Sequence, residues 1–110
     1  MIDFIRENLT QEELLAQLAE EAAELAHAAL KMRRAYGNTE NPTPVSSGEA
    51  FRNLTEELAD VQLCITVLGF APLIKHDVAR IKEQKLTRWA NRIKAAQLWD
   101  ARERGSDGEV

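Results

Sequence analysis

Only one cysteine, Cys64, occurs in the 110 residues, so no intrachain disulfide forms and a reducing, cytoplasmic setting is expected. Aromatic residues make up 5% of the chain, with five glycines and three prolines. Ala, Leu, Glu, Lys and Arg dominate instead, and these strong helix formers favour an all-α fold. No apolar run is long enough for a membrane span, and the acidic N-terminal segment resembles no secretory signal. No glycine-rich GxxxxGK loop occurs, which argues against a P-loop fold.

What is present begins with charge. The net charge of −4 conceals two unlike halves: residues 1–72 carry twelve acidic and five basic side chains, residues 73–104 four acidic and nine basic. The acidic half would repel a nucleic-acid backbone, so no polymeric nucleic acid is expected as partner. Length predicts a single domain over residues 1–104, with a frayed polar tail at 105–110.

Three long helices are predicted. Thr10 and Glu13 have capping-box spacing ahead of the stripe Leu18, Ala22, Leu25, Ala29 and Met32, and Lys31, Arg33 and Arg34 sit where helix C-termini favour cations. The first helix therefore covers roughly 11–35. Gly37 to Gly48 reads as loop, Ser46 and Glu49 offer a second capping box, and Phe51, Leu54, Leu58, Val61, Ile65 and Leu68 define a second helix ending near Gly69. A third, basic helix starts near Leu73 and carries Val78, Ile81, Trp89, Ile93 and Ala96 at helical spacing. Residues 1–9 allow a short helical turn.

Two segments repeat at an offset of 36 residues: Leu18-Ala19-Glu20-Glu21-Ala22-Ala23-Glu24-Leu25 and Leu54-Thr55-Glu56-Glu57-Leu58-Ala59-Asp60-Val61. At about 100° per residue, Glu21 and Glu57 fall about 60° from their stripe centres, Glu24 and Asp60 about 120°, all on corresponding flanks. Antiparallel packing with facing stripes would bring these four carboxylates together, leaving Glu20 and Glu56 outward. Such a cluster needs cations to offset its repulsion, and oxygen-only ligands suit Mg²⁺, with Mn²⁺ a substitute. A glutamate-rich helix face is more often simply solvated; the in-register duplication is what favours a metal site here.

EExxE followed by ExxD resembles the signature of the all-α NTP pyrophosphohydrolases, a family that includes MazG, the dCTP pyrophosphatases and the dimeric dUTPases. The matching residues are Glu20-Glu21-Ala22-Ala23-Glu24 and Glu57-Leu58-Ala59-Asp60, and the resemblance extends over roughly 11–95. It implies a MazG-like helical bundle of three main helices completed by oligomerisation, as a homodimer or homotetramer. It also implies Mg²⁺ ligation by Glu21, Glu24, Glu57 and Asp60, and hydrolysis of a nucleoside triphosphate to a monophosphate and pyrophosphate. Glu21 is then the candidate for orienting or deprotonating the attacking water. Lys85 and Arg92 match the family's phosphate-contacting Lys and Arg, while Trp89 stands where the family has Asn. Arg88 lies on the same side of the helix as that pair, available to the phosphates or equally to solvent.

Two other readings stand beside this one. A di-iron carboxylate bundle would need two Glu-x-x-His pairs; Glu24 and His27 form one, but Leu63 occupies the second histidine's place. A non-catalytic helical interaction module would use the apolar stripes and leave the carboxylates idle. Trp89 and Trp99 read as core or interface aromatics before nucleobase platforms, and Cys64 as packing.

Overall fold

The computed structural model describes residues 1–37 and 46–107, in the order α1 (Ile2–Asn8), α2 (Gln11–Tyr36), α3 (Ser47–Leu68) and α4 (Ala71–Asp107), with no strand among the described residues. The fold is all-α. Most of the expected Gly37–Gly48 loop, residues 38–45, lies outside the described residues, while Ser47 and Gly48 already belong to α3. Helix α4 continues through Asp107, past the Gly105 at which the sequence places a frayed tail, and residues 108–110 are outside the described part.

The caps act as their sequences predict. Thr10 Oγ1 accepts from the Glu13 amide at 3.1 Å, and Ser46 Oγ accepts from the Glu49 amide at 3.2 Å. Each satisfies an amide that a helix start would otherwise leave unpaired. Helix α3 ends on Gly69, whose φ of 78° places it in the left-handed region that favours glycine. Pro72 lies in the first turn of α4, where its missing N–H breaks no helical bond.

The chain divides into two compact units, Met1–Pro72 and Leu73–Val110. In the first, α2 and α3 pack along one another and α1 packs against α3. The α2–α3 pair is antiparallel: Lys31, late in α2, faces Glu49, early in α3, across 4.0 Å. At the other end Arg6 of α1 donates from Nε to the Val67 carbonyl at 2.7 Å and from Nη2 to the Thr66 carbonyl at 2.9 Å. These carbonyls belong to the last turn of α3; the Thr66 carbonyl also accepts from the Gly69 amide at 3.1 Å, and the guanidinium adds donors and positive charge at that helix end.

The α2–α3 seam is rotated from the predicted stripes. On α2 the buried and half-buried line is Leu14, Leu18, Glu21, Leu25, Ala28 and Met32, while Ala22 and Ala29 are exposed. On α3 it is Ala50, Leu54, Glu57, Val61, Cys64 and Val67, while Phe51, Leu58 and Ile65 are 55%, 45% and 41% exposed. Both helices turn in the same sense, as their internal repeat requires. Each carries two apolar lines, the seam and an outer one at steps of seven: Leu15, Ala22, Ala29 and Tyr36 on α2, and Phe51, Leu58 and Ile65 on α3. The predicted stripe centres fall between the two lines. Ala28 and Ala50, 5% and 0% exposed, supply the seam's small side chains, which let helices approach closely.

In the second unit, α4 runs as one helix of 37 residues. Its apolar residues Ile81, Trp89 and Ile93 share a stripe by helical spacing, interleaved with Lys and Arg.

Candidate metal centre

Because the seam is rotated, Glu21 and Glu57 stand within the α2–α3 contact, half-buried, and not on its flank. Glu24 and Asp60, three residues further along their helices, are exposed beside it, on the side away from the outer apolar lines. The paired helices therefore have an acidic side and an apolar side. Glu20 and Glu56 are exposed, as predicted.

One carboxylate oxygen from each of Glu21, Glu57 and Asp60 falls in a group whose atoms all lie within 4.8 Å of one another. Glu24 is outside that tight group, although its charge acts on Glu57. Gln17, one turn before Glu21, donates from Nε2 to Glu21 Oε1 at 2.8 Å. The amide thus engages one oxygen of a carboxylate in the cluster. Sequence periodicity gives no sign of this bond, since Gln17 lies off the predicted stripe.

The electrostatics follow from the crowding. The Glu57 carboxyl is raised above its ordinary value, first by desolvation and then by the negative charges of Asp60, Glu24, Glu21 and Glu56. Cys64, one turn beyond Asp60, has its thiol raised by burial and by Glu21 and Asp60. Three or four anionic oxygen donors with no nitrogen or sulfur ligand fit a hard divalent ion. Among the described residues no second Glu-x-x-His pair joins Glu24 and His27, and Leu63 is 54% exposed.

A cleft of about 390 Å³ adjoins the cluster within the first unit, lined by Glu24, His27, Ala28, Leu30, Lys31, Arg34, Asn53 and Glu57. His27, Asn53 and the two cations were not among the predicted site residues: Lys31 and Arg34 satisfied a helix C-terminus, and that role hid any other. Lys85, Arg88 and Arg92 belong to the second unit, where they line one shallow depression of about 360 Å³ together with Trp89. Their shared helix face is as predicted, and Trp89 joins them there.

Four helices without a strand among the described residues, and an acidic cluster between antiparallel α2 and α3, make this an all-α, carboxylate-bearing helical protein. The family model described as MazG nucleotide pyrophosphohydrolase domain matches residues 9–86, and the chain belongs to that family. The match includes the whole acidic cluster and Lys85; Arg88 and Arg92 lie beyond it. No curated protein and no solved structure matches the chain. No described helix is long and apolar enough to cross a membrane.

Proposed function

We propose that the protein is a divalent-metal-dependent nucleoside triphosphate pyrophosphohydrolase, adding water across the α–β phosphoanhydride to give a nucleoside monophosphate and pyrophosphate. The observation that carries this reading is the convergence of Glu21, Glu57 and Asp60 within 4.8 Å, on the two helices that the family match spans. Residues 1–104 are read as one MazG-like domain, which the run of the match through Pro72 supports.

Glu21, Glu24, Glu57 and Asp60 are the residues that would hold Mg²⁺, or Mn²⁺ in its place. Bound there, such ions supply charge stabilisation on phosphoryl oxygens and lower the pKa of water. Glu21 is assigned to orienting or deprotonating the attacking water while also touching a metal: Gln17 donates to its Oε1, which leaves its other oxygen open to both. Lys85, Arg88 and Arg92 are assigned to neutralising the triphosphate, a role that their common depression around Trp89 supports. The partner is thus a free nucleotide and not a nucleic-acid polymer, and the role is control or sanitation of a cytoplasmic nucleotide pool.

Self-association completes the proposal. The outer apolar lines on α2 and α3 form one exposed side of the helix pair, and heptad spacing suits a second copy of the same pair. A homodimer or homotetramer would bury Phe51, Leu58 and Ile65. The same lines favour the second reading, a purely structural helical module, which predicts association without hydrolysis.

Release of pyrophosphate from a panel of natural and modified nucleoside triphosphates, with Mg²⁺ and with chelator, separates the two. Turnover that needs the metal and falls at least about a hundredfold in Glu21→Gln is expected, the scale typical for loss of acid–base catalysis. No release from any triphosphate would refute the enzymatic reading.

A further inference from the structure

We infer that the cleft between α2 and α3 holds the polyphosphate end of the substrate, with Lys31 and Arg34 as its contacts. The inference rests on the proposed function and adds Lys31 and Arg34 to the cations which that reading assigns to the triphosphate. The lining residues run along α2 at steps of three and four, from Glu24 through His27, Ala28 and Lys31 to Arg34, and on α3 from Glu57 to Asn53. One end of the cleft therefore shares Glu24 and Glu57 with the acidic cluster, and the other end carries two cations.

Chemistry chooses the occupant. The lining contains no Phe, Tyr or Trp, and its one aromatic ring is the small imidazole of His27, so it offers a nucleobase little stacking surface. It instead sets the metal-holding carboxylates opposite an ammonium and a guanidinium, an arrangement complementary to a multiply charged phosphate chain. Reach is adequate: Lys31 and Arg34 lie about 10 Å and 15 Å along the helix axis from Glu24, and helical side chains lean toward the N-terminus, hence back toward the acidic end. His27 and Asn53 add further hydrogen-bonding groups between.

Lys31 is already half-buried and engaged, 4.0 Å from the more exposed Glu49. That long pair leaves the ammonium free to exchange one anion for another, and Glu49 competes with the phosphate for it. The consequence is a variant that should strengthen binding: Glu49→Gln removes the competitor while keeping the α3 cap, whose bond uses the Glu49 backbone amide.

The test is calorimetric titration of the full chain with inorganic pyrophosphate in the presence of Mg²⁺, alongside titration with a nucleoside monophosphate. Lys31→Ala and Arg34→Ala should each weaken pyrophosphate binding about tenfold or more, the usual consequence of losing a hydrogen bond to a charged partner. Glu49→Gln should tighten it, and the monophosphate should bind all four proteins alike. Unchanged pyrophosphate affinity in both alanine variants, or a loss confined to the monophosphate, would overturn the inference. Mn²⁺ uptake measured on the same samples without phosphate keeps the two readings apart. If the unchanged protein takes up no metal, the metal centre itself fails. If metal binds but pyrophosphate does not, or binds without regard to Lys31 and Arg34, only the assignment of the cleft fails.

Discussion

Replacing Asp60 by Asn should shift stability in opposite directions without and with a divalent ion. Asp60 is exposed, and one of its oxygens lies within 4.8 Å of oxygens from both Glu21 and Glu57. At that separation two unit charges repel by about 0.9 kcal/mol in water-like surroundings, and salt near 0.15 M screens part of this over a Debye length of about 8 Å. Two such neighbours leave a net relief of about 1 kcal/mol for the metal-free variant. In a domain of this size that corresponds to a rise in Tm of about 4–8 °C. With Mn²⁺ at about a hundred times its dissociation constant, the unchanged chain gains about 2.7 kcal/mol by mass action, and the variant, having lost a ligand, gains far less. The order of the two melting temperatures should therefore cross between chelator and Mn²⁺. Melting followed by circular dichroism reads both conditions. A variant no more stable than its parent in chelator, or one that gains as much from Mn²⁺, would refute the argument that these carboxylates are held together against their own repulsion.

Other consequences are simpler. Arg6→Ala removes two bonds to the last turn of α3, one of them part-buried, and should destabilise by about 2 kcal/mol in denaturant titration, with faster hydrogen exchange in α1; a change below about 0.5 kcal/mol would contradict the clamp. Because the Glu57 carboxyl is raised, the folded chain keeps a proton that the unfolded chain releases, so metal-free stability should fall as pH climbs from the ordinary carboxylate range through the raised value. Denaturation midpoints that instead rise over that interval would count against the crowding. Phe51→Glu, placed on the outer apolar line, should convert an oligomer to monomer in sedimentation while keeping the helical content; unchanged mass would remove that face from the interface.

Much of this arrangement is legible in the residues. Caps at Thr10 and Ser46 and the glycine stop at Gly69 are local signals, and each appears at its predicted place; the paired carboxylate segments lie on the two packed helices, but with Glu21 and Glu57 in the seam instead of on its flank. The rotation of the seam is not local. Each helix of the pair bears two apolar lines, and hydrophobic periodicity averages them, so Phe51, Leu58 and Ile65 outweighed Ala50 and Glu57. Nothing in spacing tells a large exposed residue from a small buried one. The bonds of Arg6 to Thr66 and Val67 span some sixty positions, and no periodicity predicts them. Lys31 and Arg34 were visible as charges, but a helix C-terminus explains two cations without a ligand, and only the cleft beside Glu24 and Glu57 distinguishes them.

Paramagnetic resonance of free Mn²⁺ during titration of the chain tests the central claim most directly, because bound ion leaves the free signal in proportion to occupancy. The unchanged protein should withdraw Mn²⁺ stoichiometrically, and a Glu21→Gln, Asp60→Asn double variant that keeps its helical content should withdraw almost none. Equal uptake by the two proteins, or no uptake by either with a nucleoside triphosphate present, would show that the carboxylates between α2 and α3 are not a metal centre.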